Sequence, residues 1–574
     1  MVVAVMAVIV FGFSLEGQQG ALSTSLAPNA FNGPSAFSTL TALASRYPNR
    51  RPGSVADAQL ASYVASQFRQ SNLVVTTSTF RARTVDGTKT LQTVTGTSPG
   101  TSSGSIVIVA HRDALGSPAQ AELSGTAALL GLANALSGET HSHAIVLAST
   151  SGSAGAAGAA QFARSLQGPV DAVIALGDLA GSEVREPIIV PWSGGESLAA
   201  PMLRKTLAAA VAAQTGLASG SDSLGGQFAH LALPLSLGEQ APFGALGYPA
   251  VLLSLSGVHE PGPHEVVRDA AHITALGQAV LEAISALDGG PPVPAPTAYL
   301  TWNGNLIPAW ALRVLVAALL APVLITSLDG AARARRRGHR IAPWLAWVGT
   351  CALPFALALL VLLAIRYAGL IKALPAGPVS GGAVPLRAGG VAILAVLALV
   401  LAASFALLRP FVLRRIGDRV RDRGATGDAG AGAAVAITIC AVSLAVWVRN
   451  PFAAALLIPA AHLWIWVVDP DVRMPVGLSI VALAVGLLAP AIEIVYWARA
   501  LALSPAGVLW NGALLVAGRQ VGVLAALEWS IVLGCALSAI LVVAGRQRLR
   551  ERREPAKARV AGTYIDPASA TRSR

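Results

Sequence analysis

Ser105-Ile106-Val107-Ile108-Val109-Ala110-His111-Arg112-Asp113 is the stretch that sets the fold. Its apolar, β-branched run from Ser105 to Ala110 reads as a buried strand, because such side chains suit a pleated surface covered on both faces. The strand delivers three polar residues, His111, Arg112 and Asp113, at its carboxyl end. Ligands in open α/β sheets gather at that edge.

Working outward, Leu123 to Leu136 reads as a helix, Ala144 to Ser149 as a strand, Gly155 to Leu166 as a small-residue helix, and Ala172 to Leu176 as a strand running into Asp178. Alternating strands and helices predict an α/β fold: a mostly parallel mixed sheet flanked by helices. The domain is expected over residues 35–287.

Five landmarks in order carry a family resemblance. They are Arg50-Arg51-Pro52-Gly53-Ser54, the His111-x-Asp113 motif, the segment Ser124 to Leu136, Gly177-Asp178-Leu179-Ala180-Gly181, and Ala241 to Ser254 followed by His259. Together they resemble metallopeptidase family 28, the zinc-exopeptidase-like fold of two-zinc aminopeptidases and carboxypeptidases. That fold also serves glutaminyl cyclases and non-catalytic receptor and transamidase-subunit domains. The resemblance implies zinc ligands at His111, Asp178 and His259, with Asp113 as the carboxylate that orients the His111 ring.

The departures from the pattern bear on function. The position of the metal-bridging Asp is Ala121, between Gln120 and Glu122, and the Glu-Glu pair of general base and zinc ligand falls on Gly152 and Ser153. Two zinc ions need a bridging carboxylate, and a hydrolase needs a base for the bound water. Glu122 and Glu239 are the substitutes that an active zinc-dependent aminopeptidase would have to use. The plainer alternative leaves His111, Asp178 and His259 as polar packing, with zinc bound weakly or not at all. The expectation is a catalytically degenerate domain that binds a peptide or protein partner.

The rest of the chain is of another class. Over the full chain hydrophobic residues make up 54% and charged residues 12%, with a mean hydropathy of +0.61, which excludes an ordinary soluble enzyme. Runs long enough to cross a bilayer lie at Trp310–Leu328, Pro343–Ile365, Ala388–Leu408, Ala431–Val448, Pro451–Val468, Val476–Trp497 and Val521–Val543. Residues 309–545 are therefore expected to form an all-α bundle of seven transmembrane helices. Residues 1–20 are expected to be a membrane anchor or uncleaved signal, 288–308 a stiff proline-rich linker, and 546–574 a basic tail.

Arginine clusters follow the first span (Arg333 to Arg340), the third (Arg414 to Arg423) and the last (Arg546 to Arg553). With seven spans all three fall on one side, and the positive-inside rule makes that side the cytoplasm. A multi-pass protein of the cell membrane follows, with its peptidase-like domain outside and its tail inside. The net charge of +12 is thus a topology signal with membrane lipid as partner; no nucleic-acid motif accompanies it. Cys351, Cys440 and Cys535 all lie in expected spans, so disulfides play no part in the external domain. Arginine far exceeds lysine and alanine and glycine abound, a bacterial composition. His462, Glu493 and Glu528, costly in lipid, mark helix partners, a cavity or a proton path, and the last would place the function in the membrane region.

Overall fold

A computed structural model describes residues 7, 14–17, 19–24, 28–372, 374–416, 429–472 and 474–561. Most of the expected amino-terminal anchor lies outside the described residues, as do Arg419, Arg421, Arg423 and the tail beyond Ala561. The chain forms two compact units: Met1–Val314 with Ile365–Val391 and Val495–Gly522, and the remainder.

In the first unit, helices α1 (Gly33–Arg46) and α2 (Val55–Gln70) precede the hairpin β1 (Val74–Thr84) and β2 (Gly87–Ser98). Then come β3 (Ser105–His111), α3 (Ser124–Ala135), β4 (Ala144–Thr150), α4 (Ala157–Ser165), β5 (Val170–Leu176), β6 (Ile189–Val190), α5 (Pro201–Thr215), α6 (Leu224–Ala232), α7 (Ala241–Ala245), β7 (Ala250–Leu253) and α8 (Ala271–Asp288). The seven-stranded sheet runs β1-β2-β4-β3-β5-β7-β6. Its four central strands are parallel, while the hairpin and the short β6 add antiparallel edges. The α/β fold class of the sequence reading is the observed one, as a mixed sheet with flanking helices.

Ile106 to Ala110 have no exposed surface, as befits a strand covered on both faces. One cover includes Leu40, Leu129, Leu132, Leu276 and Val280 from α1, α3 and α8; the other includes Phe162 of α4 and Phe243 of α7. The helices begin where the sequence provides caps: Asn32 accepts from Ser35 N, and Ser54 from Asp57 N. Gly125 lets α3 press onto the sheet, since a Cβ there would lie 2.5 Å from Leu176 O.

The expected 288–308 linker is not spacer throughout. Tyr299–Trp302 and Asn305–Pro308 form a hairpin, and the two-residue strand Glu16–Gly17 pairs with its second arm. Asn303 and Gly304 both have positive φ, the geometry that favours Asn-Gly in a two-residue turn. The Tyr299 hydroxyl donates to Ala199 O at 2.7 Å.

Among the described residues six helices are long and apolar enough to cross a membrane, and the count reaches seven if the pair Val476–Gly486 and Leu488–Ala500, bent by 44°, is one span. Of the ionisable residues expected in spans, Glu528 pairs with Arg449 and His462 Nδ1 lies 3.0 Å from Ile458 O, one turn back on its own helix.

Candidate functional site

Parallel strand β3 has β4 on one side and β5 on the other, so the chain reverses direction across the sheet there and opens a crevice beyond the strand ends. His111 closes β3, and Asp178 follows β5 by two residues. The turn of chain at Ala121–Leu123 and the start of α3 lie above them, tied down by Thr126 Oγ1 donating to His111 O at 2.6 Å and by Leu179 N donating to Ser124 Oγ at 2.7 Å. Arg112 points the other way: fully buried, it pairs with Asp57 at 2.8 Å and donates to Ser149 O, Thr150 O and Gln92 O. It locks the sheet to α2. Arg50, from the first landmark, donates to Pro118 O at 2.8 Å and to Ala119 O, ordering the loop that leads to Glu122.

The His111 ring sits between two carboxylates. Its Nε2 is 3.8 Å from Glu122 Oε1 and its Nδ1 is 3.5 Å from Glu239 Oε2. These four atoms belong to residues at most 7% exposed, and Nε2 and both carboxylate oxygens lack a hydrogen-bond partner. Burial disfavours charge on the ring, but Glu239, then Glu122 and Asp113, outweigh it and push the imidazole up to about 10. Burial, reinforced by the nearby Glu260, holds the Glu122 carboxyl well above the usual range. A protonated imidazole bridging two buried acids is the arrangement these effects favour.

The remaining sequence candidates are otherwise engaged. Asp178 accepts from Ala180 N at 3.0 Å, Gly181 N at 2.7 Å and Ser256 Oγ at 2.7 Å. The resemblance implies that Asp113 orients the ring; instead its carboxylate accepts from Ser153 N and Oγ at 3.1 to 3.2 Å, and burial raises it to about 7. The oxygen nearest Nδ1 belongs to Glu239. Thus Ser153, at a position where the family pattern has a carboxylate, donates to one. His259 lines the same cavity as His111, Asp178, Glu239 and Glu260, and burial lowers its ring below the ordinary value. That cavity is about 30 Å³, room for a water or two.

The donors do not converge on a point. A zinc-bound histidine offers one nitrogen to the metal and the other to a carboxylate, but here each ring nitrogen faces its own carboxylate and the oxygens of Asp113 and Asp178 are bonded elsewhere. Among the described residues no group of three or more His, Cys, Asp or Glu side chains is placed to hold a metal ion. Sequence reading did not mark Ser153 as a donor, Arg50 as the loop's anchor or Glu260 as part of the cavity. Only the landmark around Arg50 was a usable signal.

No family model matches the chain, and no curated protein matches it. Among solved structures it is similar to the glutaminyl cyclase of an Acidobacteriales bacterium, at 17% identity over 47% of this chain and 99% of that one, with a TM-score of 0.37. It is similar also to a zinc aminopeptidase from Bacillus subtilis, at 12% identity over 44% of this chain and 94% of that one, TM-score 0.37. A leucine aminopeptidase precursor from Bacteroides thetaiotaomicron matches at 15% identity over 46% and 99%, TM-score 0.37.

Proposed function

We propose that this is a multi-pass membrane protein whose peptidase-like α/β domain binds a peptide or protein partner and has given up hydrolysis. The observation that carries the reading is His111 held between Glu122 and Glu239, each ring nitrogen facing a different carboxylate. An imidazolium in that place faces Glu239 on one side and the Glu122 carboxyl on the other, so the ring's charge is accommodated without zinc. Ala121, Gly152 and Ser153 leave no base on the loops where the family resemblance expects one. The cavity beside His111 is small, about 30 Å³. The arginines that close the first and last spans support a domain on the extracytoplasmic face and a carboxyl-terminal tail in the cytoplasm.

The test is elemental analysis of the full-length protein purified in detergent without chelator, paired with an aminopeptidase assay. Well under one equivalent of zinc and no chelator-sensitive release of amino-terminal residues are expected. The rival reading, an exopeptidase using substituted ligands, draws on the same two carboxylates beside His111. Stoichiometric zinc together with hydrolysis abolished by His111→Ala would establish it instead.

A further inference from the structure

A second, larger cavity lies away from His111, and its wall is strongly basic. Arg83 near the end of β1, Arg164 of α4, Arg366 near the end of the apolar helix Ala342–Tyr367, and Arg519 just past the apolar helix Pro505–Gly518 all line a cleft of about 520 Å³. All four belong to the first compact unit. No aspartate or glutamate lines the cleft. Among the described residues none of the four forms an ion pair, and Arg366 Nη1 is buried without a hydrogen-bond partner. Arg519 donates to the Tyr367 hydroxyl, which orients one guanidinium without neutralising it.

The cleft is built. Gly155 and Gly377 press backbone on backbone at its base: a Cβ on Gly377 would lie 2.8 Å from Gly155 O. Gln520 Nε2 donates to Ala376 O at 2.9 Å, fixing the same loop. Desolvation, with the charges of Arg366 and Arg519, lowers Arg83 from its ordinary value, so the guanidiniums repel one another across the space. Such an arrangement is stabilised by an anion that they share. Guanidinium groups match phosphate oxygens in charge and planar geometry, and two of these arginines end apolar helices, where lipid headgroups lie.

We propose that the Arg83–Arg164–Arg366–Arg519 cleft is a binding site for a phosphate group, the headgroup of an anionic phospholipid or a free phosphate. The site is independent of the fate of the His111 cluster. The test uses the full-length protein in phosphatidylcholine nanodiscs, with thermal stability as the readout, in one arm adding phosphatidylglycerol and in the other inorganic phosphate. Stabilisation by the lipid with little effect of inorganic phosphate identifies a headgroup; stabilisation by inorganic phosphate alone identifies a free phosphate; either supports the site. The double change Arg83→Gln/Arg366→Gln should weaken the apparent affinity on the order of tenfold. Arg83→Lys/Arg366→Lys should retain part of it, and Arg69→Gln, on α2, should change nothing. If the glutamine pair fails to fold, Arg164→Gln at the exposed rim carries the same comparison. Equal responses of wild type and variants in both arms would overturn the proposal.

Discussion

At His230 burial decides the charge. The ring stacks on Trp192 with centroids 4.3 Å apart, its Nε2 lies 3.1 Å from the Tyr496 hydroxyl, and its Nδ1 lies 3.3 Å from Leu235 O. Desolvation lowers it to about 4, against about 6.5 in an unfolded chain. A depressed folded value means stability present above pH 6.5 and lost as pH falls toward 4, because the unfolded chain takes up the proton first. The loss amounts to roughly 3 kcal/mol. Thermal midpoints of wild type and His230→Phe, compared between pH 7.5 and pH 4.5, should show the variant losing less on acidification. Parallel curves would remove His230 as the cause.

At the scale of elements, the contact of α3 with β5 depends on one missing side chain. A Cβ at Gly125 would lie 2.5 Å from Leu176 O and 2.7 Å from Gly177 O, and backbone cannot swing aside as a flexible side chain does. Gly125→Ala should therefore cost about 1–3 kcal/mol in denaturant unfolding of the first unit. The loop after β4 carries a second constraint, for Gly152 has φ of +88°, a conformation that side-chain-bearing residues rarely adopt. Rebuilding the family's carboxylates as Ala121→Asp/Gly152→Glu/Ser153→Glu thus adds strain of about 1–3 kcal/mol at residue 152. The double change Ala121→Asp/Ser153→Glu should melt higher than the triple.

In the second unit Arg449, at the end of one apolar helix, pairs with Glu528, near the start of another. Removing one partner leaves the other charge in poor surroundings. Glu528→Ala should lower the thermal midpoint in detergent, and adding Arg449→Ala should restore part of the loss. Additive losses in that double-mutant cycle would assign the pair no role in holding the helices together.

For the whole molecule the testable claim is orientation. The proposed topology of seven spans would put the segment after Arg337 and the segment after Arg553 on one side of the membrane, and the α/β domain on the other. Reporters fused after Ser165 should read extracytoplasmic, and those after Arg337 or Arg553 cytoplasmic. A cytoplasmic reading at Ser165 would break the topology.

The strands β3, β4 and β5 and the helices between them were legible because each rests on a local pattern: a β-branched run, a small-residue helix, a polar residue at a strand end. The spans were legible for the same reason, since a bilayer demands about twenty apolar residues in succession. The hairpin at Tyr299–Pro308 announced itself only through Asn303-Gly304, and proline-rich neighbours masked it. What local pattern cannot contain is which distant groups meet. Glu239, from the segment between α6 and α7, takes the ring nitrogen that the resemblance assigns to Asp113, and Ser153 takes Asp113 in exchange. Arg83, Arg164, Arg366 and Arg519 come from four separate segments and share a cleft only once the chain has folded. Charge acts through space and burial sets its strength, so both clusters acquire their chemistry from packing.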